Sequence, residues 1–368
     1  MQNVAQAWLV YRLSHSGLLL GTAWFCSQLP VFLFGSIGGL VSDRYPRHRI
    51  VVITQTLSMI QAFALGVLTL SGHVQVWHIL LLAFGLGTIN AVDMPARQAF
   101  IVELASKEDL LNAISLNSAI FNAARIVGPA IAGLLVAALG EGVCFVLNGM
   151  SFLAVIAALL AMHITWQAQR FTDSSWSRLV EGFRYAWRRL PVRSILMILA
   201  ATTFAGMPAV VLMPFFAEDI FHKGSQGLGF LMGSMGIGAV IGTLVLAHRA
   251  KISGLHKVIV YSALSTGLSF ILFSASRWFY LSLAIMPVIG FSVMRQNAAA
   301  NTSIQMLIPD QYRGRIMSLY TMTVVGLGPF GSLAAGAAAH AIGPRWTVFA
   351  GGVLSVAAAA MFQLMVKE

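Results

Sequence analysis

The sequence predicts an all-α integral membrane protein made of two similar six-helix halves. Three observations carry that prediction: an apolar composition, apolar stretches of membrane-spanning length along the whole chain, and a displacement of 203 residues that brings one half into register with the other. Hydrophobic residues fill 58% of 368 positions and charged residues only 10%, against roughly 25% charged in an ordinary soluble domain. Water is therefore not the main solvent, and a soluble enzyme is excluded. A net charge of +11 would suit a nucleic-acid binder, but in so apolar a chain Lys and Arg report orientation, because they are retained on the cytoplasmic side. No nucleic-acid partner is expected.

A spanning helix needs about 20 mostly apolar residues. Such stretches run at 16–41, 50–70, 76–99, 113–138, 143–162, 193–217, 227–247, 258–274, 278–300, 317–339 and 346–365, eleven in all. Met1 to Leu13 is apolar too. At ~1.5 Å per residue it reaches only about 20 Å into a ~30 Å hydrocarbon core, and so reads as half a helix. It has no basic start, and Gln2, Asn3 and Gln6 interrupt it, which argues against a cleavable signal peptide. Cys26 and Cys144 lie within apolar stretches as small hydrophobes, so neither a disulfide nor a metal site is expected.

Basic residues assign the ends. Arg44, Arg47 and Arg49 share one connection, and Arg249, Lys251 and Lys257 another. The full alternating set collects seventeen Lys and Arg on that side and leaves Arg12, Lys223, Arg277 and Arg345, four in number, on the other. The well-populated side is read as cytoplasmic, which puts the C-terminus there in a multi-pass inner-membrane protein. Residues 163–192 form the one long polar stretch, with Trp166, Trp176 and Trp187 among arginines. The stretch divides an N-terminal bundle, 1–162, from a C-terminal bundle, 193–368. Trp176 to Leu190 is either an amphipathic helix on the anionic inner leaflet or a solvated linker.

The displacement of 203 carries Gly35 and Gly39 onto Gly238 and Gly242, Leu104 onto Leu307, and Ser115-Leu116 onto Ser318-Leu319. Repeated halves mark many transporter folds. Applied to the beginning, the same displacement predicts about ten further helical residues before the first helix. The chain thus reads as one begun at an internal methionine, its first helix truncated.

The stretch Gly39-Leu40-Val41-Ser42-Asp43-Arg44-Tyr45-Pro46-Arg47-His48-Arg49 resembles the signature loop of the major facilitator superfamily. It has the glycine, the acid four residues later, a basic residue and a basic cluster, with Pro46 where the family usually has glycine. Gly128-Pro129-Ala130-Ile131-Ala132-Gly133 resembles the antiporter motif of the family's fifth helix. Asp93 to Phe100 and Arg313 to Ser318 resemble the branch that includes the enterobactin exporter. The resemblance covers essentially the whole chain. It implies a monomeric exporter of siderophores, drugs or other amphiphilic metabolites, driven by inward proton flow through alternating access. A facilitator or lipid flippase without proton coupling, or a non-transporting sensor or scaffold, are the alternatives.

Ionisable groups at membrane depth are costly unless paired or facing a water-filled cavity, which makes them candidates by default. Asp93 and Arg97 lie one turn apart on one helix face, acid before base, the order that favours a local pair. Arg125 lies roughly 20 Å along the fifth span, near the bilayer middle, and Asp93 is the nearest acid in depth. A cluster of Asp93, Arg97 and Arg125 either clamps the fourth and fifth helices or exchanges protons and meets anionic substrate. The resemblance gives Asp43 a gating role, pairing with arginines and a helix N-terminus when the protein is open outward. A helix dipole favours such a carboxylate, and the repeat places the dock near Met317. Arg44 and Arg47 either join this gate, with Gly39, or only enforce topology.

Gln6, Gln28, Asn90, Asn117, Arg295 and Asn297 either line a central cavity or bond between helices. Pro95, Pro129, Pro208, Pro214, Pro287 and Pro329 each remove a backbone donor within a span, which predicts kinks. Gly326, Gly328, Gly331 and Gly336 leave one face of the eleventh span nearly bare of side chains, which predicts that helices approach closely and slide there. No Walker loop, zinc-binding histidine pair or nucleophile elbow occurs. Hence neither an enzyme, a cofactor nor ATP-driven transport is expected.

Overall fold

A computed structural model describes residues 1–104, 109–162, 183–184, 186–248 and 254–367. No strand occurs among them. The helices are α1 (Gln2–Ser14), α2 (Gly17–Arg44), α3 (Arg47–Leu70), α4 (Val76–Leu104), α5 (Leu110–Leu160), α6 (Leu190–Val211), α7 (Met213–Phe215), α8 (Gly224–Ala247), α9 (Leu255–Ala275), α10 (Phe279–Leu307), α11 (Asp310–Thr321), α12 (Gly328–Ile342) and α13 (Pro344–Lys367). Single π-helical turns follow α7 at Phe216–Ile220 and α11 at Met322–Gly326.

Among the described residues ten helices are long and apolar enough to cross a membrane. One of them, Ile126–Leu160, holds two spans, because Gly140 adopts φ 80 and ψ 168, which helical residues cannot share. The packing shows the reversal: a side chain on Gly128 would approach the Met1 nitrogen and Asn148 bonds to Gln2, whereas Glu141 pairs with Arg12. Gly343, which separates α12 from α13, has nearly the same backbone, φ 86 and ψ 158. The displacement of 203 relates these two glycines, as it does Gly87 to Gly290, Gly133 to Gly336 and Gly149 to Gly352.

In lipid, helices associate through close packing, because tails are as apolar as the side chains that face them. α2 packs on α4, and α3 on α4 and the second arm of α5; in the later part α8 packs on α10, α9 on α10 and α13, and α6 on α12 and α13. Two seams join the earlier helices to the later ones. At the first, a Cβ on Gly133 of α5 would lie 2.6 Å from both the Gly229 Cα and the Ser225 carbonyl oxygen of α8. At the second, a Cβ on Gly336 of α12 would lie 2.6 Å from the Gly17 carbonyl oxygen and 3.1 Å from the Gly21 Cα of α2. Real Cβ atoms do not approach backbone so closely, so both seams require glycine.

Among the described residues the buried apolar side chains fall into three clusters. The largest spans both parts of the chain at the end away from the basic connections, joining Val10, Leu20 and Phe145 to Phe216, Leu228 and Phe270. At the basic end the clusters are separate: one holds Ile50, Val51, Ala96, Phe100 and Leu159, the other Ile195, Leu199, Ile259, Ile304 and Ile316. The two parts of the molecule therefore share a core at one end and keep their own cores at the other.

Several details depart from expectation. Gly238 and Gly242 press on the backbones of Pro287 and Phe291, but Gly35 and Gly39 have nothing within 4 Å, and Gly38 instead meets the Ala91 backbone. The α2–α4 crossing falls on a neighbouring face of α2. The glycines of the eleventh span do admit close neighbours, as expected of a face nearly bare of side chains: Gly326 receives the Phe32 ring, Gly331 the Met207 side chain and Gly336 the α2 backbone. Helical residues 183, 184 and 186–188 precede α6, with Ala186 buried, Phe183 stacked on Trp187 at 5.7 Å and Arg193 over the Trp187 ring. Trp166, Trp176 and the rest of 163–182 lie outside the described residues.

Gly38→Val should destabilise the detergent-solubilised protein by about 1–3 kcal/mol through overpacking, whereas Gly35→Val should stay within about 0.5 kcal/mol. Thermal unfolding of the two variants beside the parent checks the contrast.

Candidate functional site

α3 carries a buried polar stripe: Thr54, Gln55, Ser58 and Gln61 are each less than 9% exposed. In a helix surrounded by lipid such groups turn inward to find partners. Asp93 on α4, 2% exposed, meets this stripe. Its Oδ1 accepts from Thr54 Oγ1 at 2.7 Å and from Gln55 Nε2 at 3.0 Å, and its Oδ2 lies 3.1 Å from Arg97 Nη2. Arg97 leads outward, with 52% of its side chain exposed. Every acceptor position used here suits an ionised carboxylate.

Under the displacement of 203 the counterpart of Asp93 is Gln296, also 2% exposed, whose Nε2 donates to Thr202 Oγ1 of α6 at 2.9 Å. The later helices thus carry a neutral amide where the earlier ones carry an acid. A second buried network, absent from the sequence reading, links four helices: Gln2 Nε2 donates to Gln61 Oε1 at 2.6 Å, Asn148 Nδ2 to Gln2 Oε1 at 2.8 Å, and Gln61 Nε2 to the Leu82 carbonyl at 3.3 Å.

Near the signature loop, Arg47 reaches Glu103 at 3.7 Å, and His48 Nε2 lies 2.7 Å from the Leu159 carbonyl with its ring against Phe100. Glu103 was missed in the sequence because it stands alone beyond the apolar part of α4. Arg44 is exposed and makes no ion pair among the described residues. The side chains of Asp43, Arg125 and Arg313 lie outside the described residues.

The remaining polar candidates do not converge. Gln6, 8% exposed, lines a cavity of about 30 Å³ with Asn3, Trp24 and Ser27. Asn117 is exposed and lines a groove of about 480 Å³ with Ile101 and Leu104 of α4. Gln28 and Asn90 are half-buried. Arg295 lies over the Phe291 ring, 5.5 Å from its centre, with a buried Nε that has no hydrogen-bond partner, and the Asn297 carbonyl accepts from the Tyr320 hydroxyl. Of the fifth-span motif, Gly133 and Pro129 form the seam with α8, where a Cβ on Gly229 would lie 2.9 Å from the Pro129 carbonyl oxygen; Gly128 has only the Met1 nitrogen nearby.

At the joined end, Tyr11 donates to Asp219 Oδ1 at 2.5 Å, a side-chain bond between earlier and later helices, and Arg12 pairs with Glu141 at 2.8 Å. Among the described residues no group of three or more His, Cys, Asp or Glu could hold a metal ion.

A family model described as transmembrane secretion effector matches residues 1–368. The chain belongs to this family of major facilitator transporters. It is a multi-pass membrane transporter of the efflux type for small molecules, and not an enzyme. It is 26% identical over 327 residues to the staphyloferrin A transporter of Staphylococcus aureus, covering 89% of this chain and 82% of that protein. It is 26% identical over 357 residues to the multidrug efflux pump Tap of Mycolicibacterium fortuitum, covering 94% and 87%. To the enterobactin exporter EntS of Shigella boydii it is 24% identical over 315 residues, covering 85% and 74%. The fold matches the crystal structure of the nucleoside transporter NupG with a TM-score of 0.77 at 14% identity, covering 100% of this chain and 96% of that one. A bacterial homologue of the lysosomal transporter Spinster matches with a TM-score of 0.71 at 17% identity, covering 100% and 92%.

Replacing Thr54 by Val or Gln55 by Leu removes a donor from a buried carboxylate and should cost about 1–3 kcal/mol each. Arg47→Ala, which breaks a long ion pair at the end of the helices, should cost less than about 1 kcal/mol. Thermal unfolding in detergent ranks the three.

Proposed function

We propose that this transporter exports small amphiphilic molecules, such as siderophores, drugs or related metabolites, by alternating access coupled to inward proton flow across the inner membrane. The observation that carries the reading is the arrangement of cores, fused at one end and separate at the other. Two bundles, 1–162 and 193–368 joined by 163–192, can rock about the glycine seams while each keeps its own core at the basic end. Bare backbone at those seams suits sliding better than interlocked side chains would.

The excess of Lys and Arg at the separated end supports a cytoplasmic location for that end and for the C-terminus. In that orientation the described state opens inward. Asp93 is the proton-exchanging group in this reading: it is buried and paired with Arg97. Asp43 and Arg44 then act at the inner gate, and Arg125 joins the Asp93 cluster. The substrate class is supported by the relatives, two of them siderophore carriers and one a multidrug pump. The protein works as a monomer, since each copy holds both bundles. A facilitator or lipid flippase is the competing reading, separated from this one by proton dependence.

Inverted membrane vesicles should accumulate a cationic dye or a siderophore only while a pH gradient exists, and an uncoupler should stop it; accumulation indifferent to the uncoupler rejects proton coupling. Asp93→Asn should reduce transport to background while leaving abundance in the membrane unchanged, whereas normal transport would reduce Asp93 to a structural part. Cysteines placed at 44 and 223 should label from opposite sides of the bilayer.

A further inference from the structure

At the joined end, the last turn of α9, the 276–278 connection and the α12–α13 turn enclose a cavity of about 590 Å³, lined by Ser274, Arg277, Gly343, Arg345, Trp346 and Phe349 among others. Among the described residues no carboxylate lines it. Arg345 is held in place: its Nε and Nη2 donate to the carbonyls of Ser274 and Ala275, each at 2.8 Å, closing the C-terminal end of α9. The guanidinium thus enters the cavity wall already oriented, with further N–H groups to offer. Arg277 makes no ion pair among the described residues.

Two backbone contributions add to the same positive potential. α13 begins at Pro344, so the N–H groups of Arg345 and Trp346 lie in its first turn, where no earlier helical carbonyl can accept them. The positive end of the helix dipole falls there as well. Two guanidinium groups, free first-turn donors and a helix N-terminus therefore converge with no counter-ion.

The presence of both arginines at this end is informative. Basic residues are scarce on this side of the chain, limited to Arg12, Lys223, Arg277 and Arg345, and Arg12 is matched by Glu141. Two of the other three share one cavity. Its surroundings point to the ligand: Trp278, Tyr280 and Trp346 are 77%, 76% and 65% exposed, and the Phe349 ring meets Trp346 edge-on at 5.6 Å. Exposed rings with one polar atom at the ends of spanning helices are the signature of the headgroup layer.

We propose that this cavity binds the headgroup of an anionic phospholipid, its phosphodiester oxygens on Arg277 and Arg345 and its acyl chains running down past Phe349. The lipid would tie the α9–α10 turn to the α12–α13 turn, a link that Arg345 already begins. The proposal is independent of the substrate and of proton coupling.

Native mass spectrometry of the delipidated full chain tests it, with phosphatidylglycerol, phosphatidylcholine and inorganic phosphate as probes. Wild type should retain one phosphatidylglycerol and bind phosphatidylcholine more weakly. Arg277→Gln should weaken phosphatidylglycerol binding about tenfold or more, as expected for losing a hydrogen bond to a charged group. Arg277→Lys should restore part of it, and Lys223→Gln should leave it unchanged. Equal phosphatidylglycerol binding by wild type and Arg277→Gln, or equal binding of the two lipids, overturns the proposal. Displacement of the lipid by inorganic phosphate would reassign the cavity to a soluble anion and overturn it as well.

Discussion

The architecture depends on backbone meeting backbone in lipid. Apolar side chains gain little by leaving acyl chains for one another, so what joins the earlier helices to the later ones is close van der Waals contact. Gly133 against Gly229 and Gly336 against Gly17 and Gly21 provide it. Both seams lie toward the same end, and the shared cluster of large side chains, Phe145, Phe216 and Phe270 among them, closes around them. At the other end no such cluster spans the two parts among the described residues, and each is held by its own aliphatic core. The glycines thus decide where the molecule is one body and where it is two.

A second constraint acts within the earlier helices. A carboxylate buried at 2% exposure must be supplied with donors, and α3 and Arg97 supply them. The related position in the later helices meets the same steric demands with an uncharged amide bonded to Thr202. The duplication has kept backbone geometry closely enough for Gly140 and Gly343 to share an unusual conformation. It has not kept charge.

Much of the fold was legible because spanning helices announce themselves by length and composition. The gap between the 113–138 and 143–162 stretches marks the reversal at Gly140, and the short opening segment is the 13-residue α1. The family followed from local motifs, whose spacing survives without knowledge of packing. The site was legible only where one helix carries both partners, as Asp93 and Arg97 do. Thr54 and Gln55 come from another helix, and the register of α3 on α4 is set by tertiary contacts that no local pattern encodes. A hint was present: Thr54, Gln55, Ser58 and Gln61 recur at helical spacing through an otherwise apolar stretch, the mark of a polar face turned from lipid. The repeat was found through Gly35 and Gly39, where an added Cβ would meet nothing, whereas Gly133 and Gly336, which bear the joint, were singled out for a motif and a glycine face and their equivalence under the displacement was missed.

The one-residue reversals at Gly140 and Gly343 belong to a wider pattern at the joined end, where the longest connection between helices is the 71–75 segment. That face offers a protease or an antibody almost no slack chain to seize, and leaves little room for an inserted tag.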